Sequence, residues 1–326
     1  MKICIVGGTG HISQSITKVL LLEGHDVTIF NRNVSGGAPE GVHQLIGDRN
    51  NRSEFELLMQ NQKFDVAIDM ICFNKEEALS DVKAFRNVKH FIQISTVCTY
   101  GIDFNKFPVK EDNPFNPITE YGKNKVEADL AFMDAYNQEG FPVTIIKPST
   151  TYGPKIGLLR QIAWEFSWID RIQNNQPILI LGEGSALHQF LHVDDAAECF
   201  KYLVGRKKCI GQTYHLVGEE HLTWKIWHET AMDIIGKRVP LVGVTLELLE
   251  KHNVLNIEVC REIFAHNCIY SNEKLKRDIP EYYQKISLAE GMKKVYLEQK
   301  KSGSIPKSSP DGWEDLLIQK LRVDLS

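Results

Sequence analysis

The sequence predicts an α/β fold: a doubly wound parallel sheet of Rossmann type, joined to a smaller mixed α/β substrate-binding part. Three observations predict it. Short apolar runs alternate with helical patterns over the first 150 residues, the chain opens on a strand–glycine loop–helix unit, and the alternation loosens after Pro154. Apolar runs place strands at Lys2–Val6, Asp26–Phe30, Val42–Ile46, Asp65–Met70, Lys89–Ser95 and Pro142–Lys147. Helical periodicity falls between them, near 12–23, 52–61, 75–86 and 120–138. Strands separated by helices form right-handed βαβ units, and such units build a parallel sheet.

Beyond Pro154, helical patterns lie at about 156–173, 194–204, 223–236 and 287–300, with strand-like runs at 177–181 and 212–217. We assign 1–154 to a dinucleotide-binding domain, with 188–217 returning to it. Residues 155–187 and 218–300 form the substrate-binding part. Residues 301–326 read as a linker, KSGSIPKSSPDG at Lys301–Gly312, followed by an amphipathic helix at Trp313–Leu321.

Composition narrows the function classes. The chain has 326 residues, 43% of them hydrophobic and 25% charged, with a formal net charge of −4. That charge offers no general attraction to nucleic acid or an anionic membrane, and no apolar run is long enough to span a bilayer. MKICIVGGTG enters a core strand at once, which leaves no room for a signal peptide. Seven cysteines are scattered without CxxC spacing, so we expect reduced thiols in a cytoplasmic protein and no zinc site.

In ICIVGGTGHIS, Gly7 and Gly10 sit three apart and Ser13 takes the place of a third glycine. A pyrophosphate needs backbone N–H groups aimed at it, no Cβ in the way and the favourable dipole of a helix start. Gly7, Thr9, Gly10, His11 and Ile12 form the loop that would cradle it, with His11 also reading as a packing residue. The second strand ends in Asn31 and Arg32. A carboxylate there would bond the adenosine ribose and reject a 2′-phosphate. Asn31 removes that repulsion and Arg32 adds a cation, so the cofactor is NADP or NAD with a lean toward NADP. Asp48, after the third strand, is placed to meet the adenine.

Tyr121 and Lys125 are four apart on a predicted helix and share one face. A phenol of pKa ~10 is a poor base near pH 7. An ammonium about 4 Å away contributes roughly 4 kcal/mol at intermediate dielectric, enough to lower that pKa by about two to three units. The same spacing recurs at Tyr270/Lys274 and Tyr296/Lys300, which we place on exposed helical faces. Only Tyr121 follows a strand ending in hydroxyls, Ser95 and Thr96, where the cofactor crevice of such a sheet lies.

VGGTGHIS, ISTVCTYG, PITEYGKNK, IIKPSTTYGP and LGEGSALHQFLHVDDAA, in this order and spacing, resemble the extended short-chain dehydrogenase/reductase family in its NAD-dependent epimerase/dehydratase branch. The likeness spans residues 1–200; LTWKIWHE and YSNEKLKR resemble an atypical subgroup named as sugar epimerases. The resemblance implies that Thr96 orients the substrate, Tyr121 is the acid/base and Lys125 its tuner and ribose anchor. It places Pro148 and Ser149 beside the nicotinamide, and Ser95, Tyr152 and His188 near the substrate. It also implies a homodimer paired through the Tyr121 helix and the helix before it.

Departures from the family narrow the chemistry. Its sugar dehydratases follow the catalytic Thr with Asp-Glu, and Val97-Cys98 here cannot fill both roles. Cys98 stands where some family epimerases carry a proton-abstracting cysteine, a role that requires a nearby cation; a packed strand-end cysteine is the other reading. His188 replaces the Arg that clamps a diphosphate and could hold a phosphate only when protonated. Trp164 and Trp168, four apart on a predicted helix, could stack on sugar or pack in the core. These features predict an NAD(P)-dependent sugar or nucleotide-sugar epimerase working through a transient ketone. An NADP(H)-dependent reductase or dehydrogenase of a small substrate is the alternative. A non-catalytic cofactor- or RNA-binding protein is the reading from another class, since chloroplast relatives of the subgroup bind RNA. It is disfavoured by the intact Thr96, Tyr121 and Lys125 and by the lack of a basic stripe interleaved with aromatics.

Overall fold

The computed structural model describes residues 1–34, 37–309 and 312–324, with side chains through 321. Pro310, Asp311, Leu325 and Ser326 of the predicted linker and terminal helix lie outside the described residues. The chain forms two compact units. The first comprises Met1–Thr151, Val193–Glu219 and Tyr270–Lys285, the second Tyr152–His192, Glu220–Ile269 and Ile286–Ser326.

In the first unit the elements run β1 (Lys2–Val6), α1 (Ser13–Leu22), β2 (Asp26–Asn31), β3 (His43–Ile46), α2 (Arg52–Asn61), β4 (Val66–Asp69), α3 (Lys75–Ala84), β5 (His90–Ile94), α4 (Glu120–Glu139) and β6 (Val143–Pro148). Together with Gln212–Leu216 the strands form a seven-stranded sheet in the order 212–216, β6, β5, β4, β1, β2, β3. Every pairing is parallel, with Cys4 of β1 opposite Thr28 on one side and Ala67 on the other. The fold class is therefore the doubly wound sheet that the sequence predicts. Helices cover both faces, which is why the central strands read as continuous apolar runs. Cys4 and Val6 pack with Phe55 of α2, Ala78 of α3 and Phe132 of α4. Residues alternate across a strand, so Ile3 and Ile5 face the other way, and both are fully buried. On α1, Ile16 and Leu20 are buried, and α1 packs along helix Val193–Leu203.

Helix starts follow local chemistry. Asn74 caps α3 by accepting from the Glu77 N–H, and Thr119 caps α4 by accepting from the Gly122 N–H. Ile12, preceding α1, provides no side-chain cap. That leaves first-turn amides of α1 without a side-chain acceptor, as an anion site requires.

The second unit departs from the sequence reading in two places. The helix expected over 156–173 is present only at Trp168–Gln173. Gly157 takes φ +94°, outside the helical region, and the chain beyond it is irregular yet buried at Leu158, Leu159 and Ile162. The indole N–H groups of Trp168 and Trp227 donate to the carbonyls of Leu158 and Leu159 at 2.9 and 2.8 Å, replacing partners a helix would supply. Trp168 is thus a core residue, whereas Trp164 lies outside the helix and is exposed. Nor are residues 301–309 of KSGSIPKSSPDG a free linker. Lys301 and Ser302 complete helix Leu288–Ser302, Ile305 is buried, and Asp170 accepts from Lys307 Nζ (2.9 Å), Ser308 N (3.0 Å) and Ser308 Oγ (2.8 Å).

The terminal helix predicted at Trp313–Leu321 is observed at Trp313–Asp324 and is docked by charge as well as by Leu317 and Ile318. Buried Glu314 accepts from Arg160 at 2.8 and 3.0 Å and from the Leu179 N–H at 2.6 Å, with Arg171 Nε at 3.4 Å; Arg171 also bonds Asp315. Glu314→Ala removes the carboxylate shared by two guanidiniums that are only 2% exposed, leaving Arg160 with Glu165 and Arg171 with Asp315. We expect it to lower stability by about 3–5 kcal/mol, read as a reduced urea midpoint. An unchanged midpoint would mean that this network does not hold the helix.

Candidate active site

A cleft of about 560 Å³ opens within the first unit at the carboxyl ends of its strands. Its floor is the β1–α1 loop. Gly7 adopts φ +107° and a Cβ there would stand 3.2 Å from Met70 Cβ; Gly8 adopts φ +63° and its Cβ would fall 2.4 Å from Ile29 Cγ2. Both positions therefore demand glycine. Ser13, buried, accepts from the Gly10 N–H through Oγ at 2.7 Å, so the third small position pins the loop as well as permitting close packing. Gly7, Thr9, Gly10, His11 and Ile12 all line the cleft. A backbone cradle with no room for Cβ atoms, followed by an uncapped helix start, fits a dinucleotide pyrophosphate.

Along the cleft, Asn31 accepts from the Asn33 N–H and from Gln44 Nε2, both at 2.9 Å, while its buried Nδ2 has no hydrogen-bond partner among the described residues. Arg32 is exposed at the rim and makes no ion pair among them. Asp48 lines the same end and accepts from the Asn50 N–H at 2.9 Å.

Sequence reasoning missed Arg49. It is buried beside Asp48, with bonds to Asp69 at 2.6 Å, Asp81 at 3.1 Å and the Glu77 carbonyl at 3.2 Å. Burial and the neighbouring Asp69 push the Asp81 carboxyl well above the ordinary carboxylate range, while the two carboxylates hold the guanidinium charged. The available signal was Asp69, a carboxylate closing the apolar strand VAID, which required a buried partner.

Ser95, Thr96, Tyr121, Lys125, Pro148 and Ser149 line the other end of the cleft. Thr96 is the hinge of this end: its Oγ1 accepts from the Cys98 N–H at 3.2 Å and caps the 3₁₀ turn Val97–Tyr100. Tyr121 and Lys125 stand on the first turns of α4. Lys125 is almost wholly buried, and its Nζ donates to the carbonyls of Cys72 (2.6 Å) and Ile94 (2.7 Å). Its ammonium lies 5.9 Å from the Tyr121 ring centre and 4.9 Å from that of Phe73. The expected lowering of the Tyr121 phenol is not what this arrangement gives. Partial desolvation in the cleft pushes its pKa up, with Cys98 and Asp129 adding to the rise and the Thr96 hydroxyl opposing it. Lys125 is committed to main-chain carbonyls, and burial lowers its own pKa.

Other sequence-predicted residues fall elsewhere. Cys98 is absent from the cleft lining, and burial raises its thiol against the weaker pull of Lys147, so it is a thiol and not a thiolate near pH 7. The Ser95 hydroxyl points to Asp129, donating at 2.7 Å. Tyr152 is a core residue of the second unit, edge-on to His192 and Trp227. His188 is buried in that unit among Phe190, Trp224 and Phe264, and burial lowers its pKa to about 3. A neutral ring in an aromatic cluster cannot supply the charge for a phosphate. In the alternative Tyr/Lys pairs Lys300 is exposed, as expected, but neither tyrosine is. Tyr270 is buried in a bridge with Val109, and buried Tyr296 accepts from Gln173 at 3.1 Å.

Comparison with known proteins identifies the family and the fold. Residues 3–216 match the model of the family described as NAD dependent epimerase/dehydratase family. A 2'-dehydrokanamycin reductase of Streptomyces kanamyceticus is 23% identical over 76% of this chain and 70% of its own length. The chloroplast stem-loop binding protein of 41 kDa b of Arabidopsis thaliana is 26% identical over 68% of this chain and 60% of its own. Among solved structures, UDP-glucose 4-epimerase of Thermotoga maritima superposes with a TM-score of 0.76 at 17% identity, covering 93% of this chain and 99% of that one. Pal from Bacillus thuringiensis gives 0.75 at 22% identity, with 93% and 100% covered. No described helix is long and apolar enough to cross a membrane. With two thirds of its length matched by the family model, the chain belongs to the NAD dependent epimerase/dehydratase family.

Proposed function

We propose that the chain is a dinucleotide-dependent epimerase of a sugar or nucleotide sugar, with Tyr121 exchanging a proton with a substrate hydroxyl. One observation carries this reading: Thr96, Tyr121 and Lys125 line the same cleft as the glycine loop. NAD or NADP, held by Gly7, Gly10, Ile12, Asn31 and Asp48, would supply a hydride acceptor and donor beside Pro148 and Ser149. Tyr121 would take the substrate's hydroxyl proton as the phenolate when hydride leaves and return it to the carbonyl oxygen when hydride comes back; desolvation, which raises the phenol, favours the returning step. Thr96, lining the same cleft, would orient the same oxygen. Lys125 has three N–H groups and spends two on carbonyls, which leaves one for a ribose hydroxyl or the phenol.

A second reading, an NADP(H)-dependent reductase, is favoured by Arg32 beside Asn31 where a carboxylate would exclude a 2′-phosphate. The similarity to a protein named as a reductase points the same way. Mass spectrometry of the dinucleotide released on denaturation separates the two. Tightly held NAD(H) supports the epimerase, because that cycle must return hydride before the cofactor leaves. Protein that arrives empty and takes up NADPH supports the reductase. In that case Arg32→Ala should weaken NADPH binding by about tenfold and leave NADH binding unchanged. Protein that neither carries nor binds either dinucleotide contradicts both.

A further inference from the structure

A second lysine lies beneath the site residues, and the proton-transfer scheme makes no use of it. Lys147 on β6 is fully buried; its Nζ donates to Asp129 on α4, to Thr99 Oγ1 at 2.9 Å and to Ser95 Oγ at 3.4 Å. Asp129 is 2% exposed. Its Oδ2 accepts from both Lys147 and Ser95, while its Oδ1 has no hydrogen-bond partner among the described residues. The rings of Tyr100 and Phe115 close over the ammonium at 5.3 and 4.8 Å. From the packed elements, the groups facing this pair are Ser95 after β5, Cys98, Thr99 and Tyr100 of the 3₁₀ turn, Tyr121 and Lys125 of α4, and His215 of strand 212–216. His215 is neutral, bonded to Tyr100 Oη and the Ser271 carbonyl, each at 3.0 Å.

A buried ion pair is not required for stability, since apolar replacements of similar volume are often neutral or better. This pair instead borders each group of the proposed proton transfer. Asp129 acts on both Tyr121 and Lys125, favouring the protonated form of each, whereas Lys147 acts on Cys98 in the opposite sense. We propose that Lys147 and Asp129 are a positioning pair: Lys147 cancels the Asp129 charge beneath Tyr121 and Lys125 and, through Ser95 and Thr99, fixes the strand end that carries Thr96. The proposal rests on the reading of Tyr121 as the proton-transfer group.

Cys98 reports on this charge balance without substrate or turnover, because it alone among the seven cysteines is not fully buried. Its alkylation by iodoacetamide is followed by peptide mass spectrometry as a function of pH. Lys147→Met leaves the carboxylate unopposed and should slow Cys98 alkylation about tenfold at pH ~8, one pKa unit of lost thiolate. Asp129→Asn leaves the ammonium unopposed and should speed it by a similar factor. The double variant should return to within about threefold of the wild type. Loosened packing would instead accelerate alkylation in both single variants. A change of the same sign in both, or none in either, overturns the proposal. If Lys147→Met does not fold, Asp129→Asn and the double variant retain the test: faster in the first and restored in the second supports it, and equal rates overturn it. Failure here is distinguishable from failure of the Tyr121 reading, which shows in turnover alone.

Discussion

Replacing Tyr121 with Phe should lower turnover by about 10²–10⁴-fold, the range of a lost general acid/base, and leave dinucleotide affinity within about twofold of the wild type. The ring stands at the cleft with its body half exposed, so Phe keeps the surface and removes only the hydroxyl. Lys125→Met is the contrasting case. Its ammonium ties α4 to the carbonyls of Cys72 and Ile94, and its loss weakens both catalysis and the cleft wall. A pure proton-transfer defect in the first variant and a mixed defect in the second would fit the proposed roles. Unchanged turnover of an identified substrate in Tyr121→Phe would remove the basis for the epimerase reading. Turnover by a panel of nucleotide sugars and dinucleotide binding by fluorescence give the two measurements.

The largest effect on stability should come from acid. Four buried histidines are held neutral by burial: His90 with a pKa lowered to about 4, and His188, His215 and His228 each lowered to about 3, from 6.5. A depressed folded-state pKa stabilises above the unfolded value and loses that contribution as pH falls toward the folded value. The window therefore runs from about pH 6.5 down to about pH 3. At pH 5 each ring forfeits about 2 kcal/mol, because the unfolded chain binds a proton that the folded chain refuses. Each unit contains two of the four, so both should melt well below their neutral-pH midpoint. His90→Gln should remove part of the pH dependence. The ring's own partners, Thr144 Oγ1 at 2.8 Å and the Gly205 N–H at 3.1 Å, make that variant costly at pH 7. Thermal midpoints at pH 7 and pH 5 test this directly, and equal midpoints would contradict it.

Much of the first unit was legible because its signals are local. A parallel strand covered on both faces is a continuous apolar run, and β1, β4 and β5 read as such, with bounds within one or two residues. The glycine loop declared itself by strand, turn and helix in succession. What stayed hidden was long-range charge pairing. Arg49 finds Asp69 and Asp81, and Lys147 finds Asp129, across separations that no periodicity encodes. The same limit explains the second unit. Lys301–Gly312 has the composition of a linker, yet Asp170 holds Ser308 and the Arg160–Glu314 contact holds the helix beyond it. Tyr152 and His188 sit in family motifs, but both side chains belong to an aromatic core. For Lys125, spacing correctly implied a face shared with Tyr121. It did not reveal that two carbonyls would claim the ammonium and leave the phenol raised.

The central claim is that hydride moves at a carbon whose hydroxyl proton passes to Tyr121. The most direct measurement uses a substrate from the panel that carries deuterium at the reacting carbon, turned over in ordinary water and read by mass spectrometry of the product. Hydride transfer with return predicts that the epimerised product keeps its deuterium, and that Tyr121→Phe abolishes the conversion. Loss of deuterium to solvent would mean that the carbon gives up a proton instead, and would contradict the account.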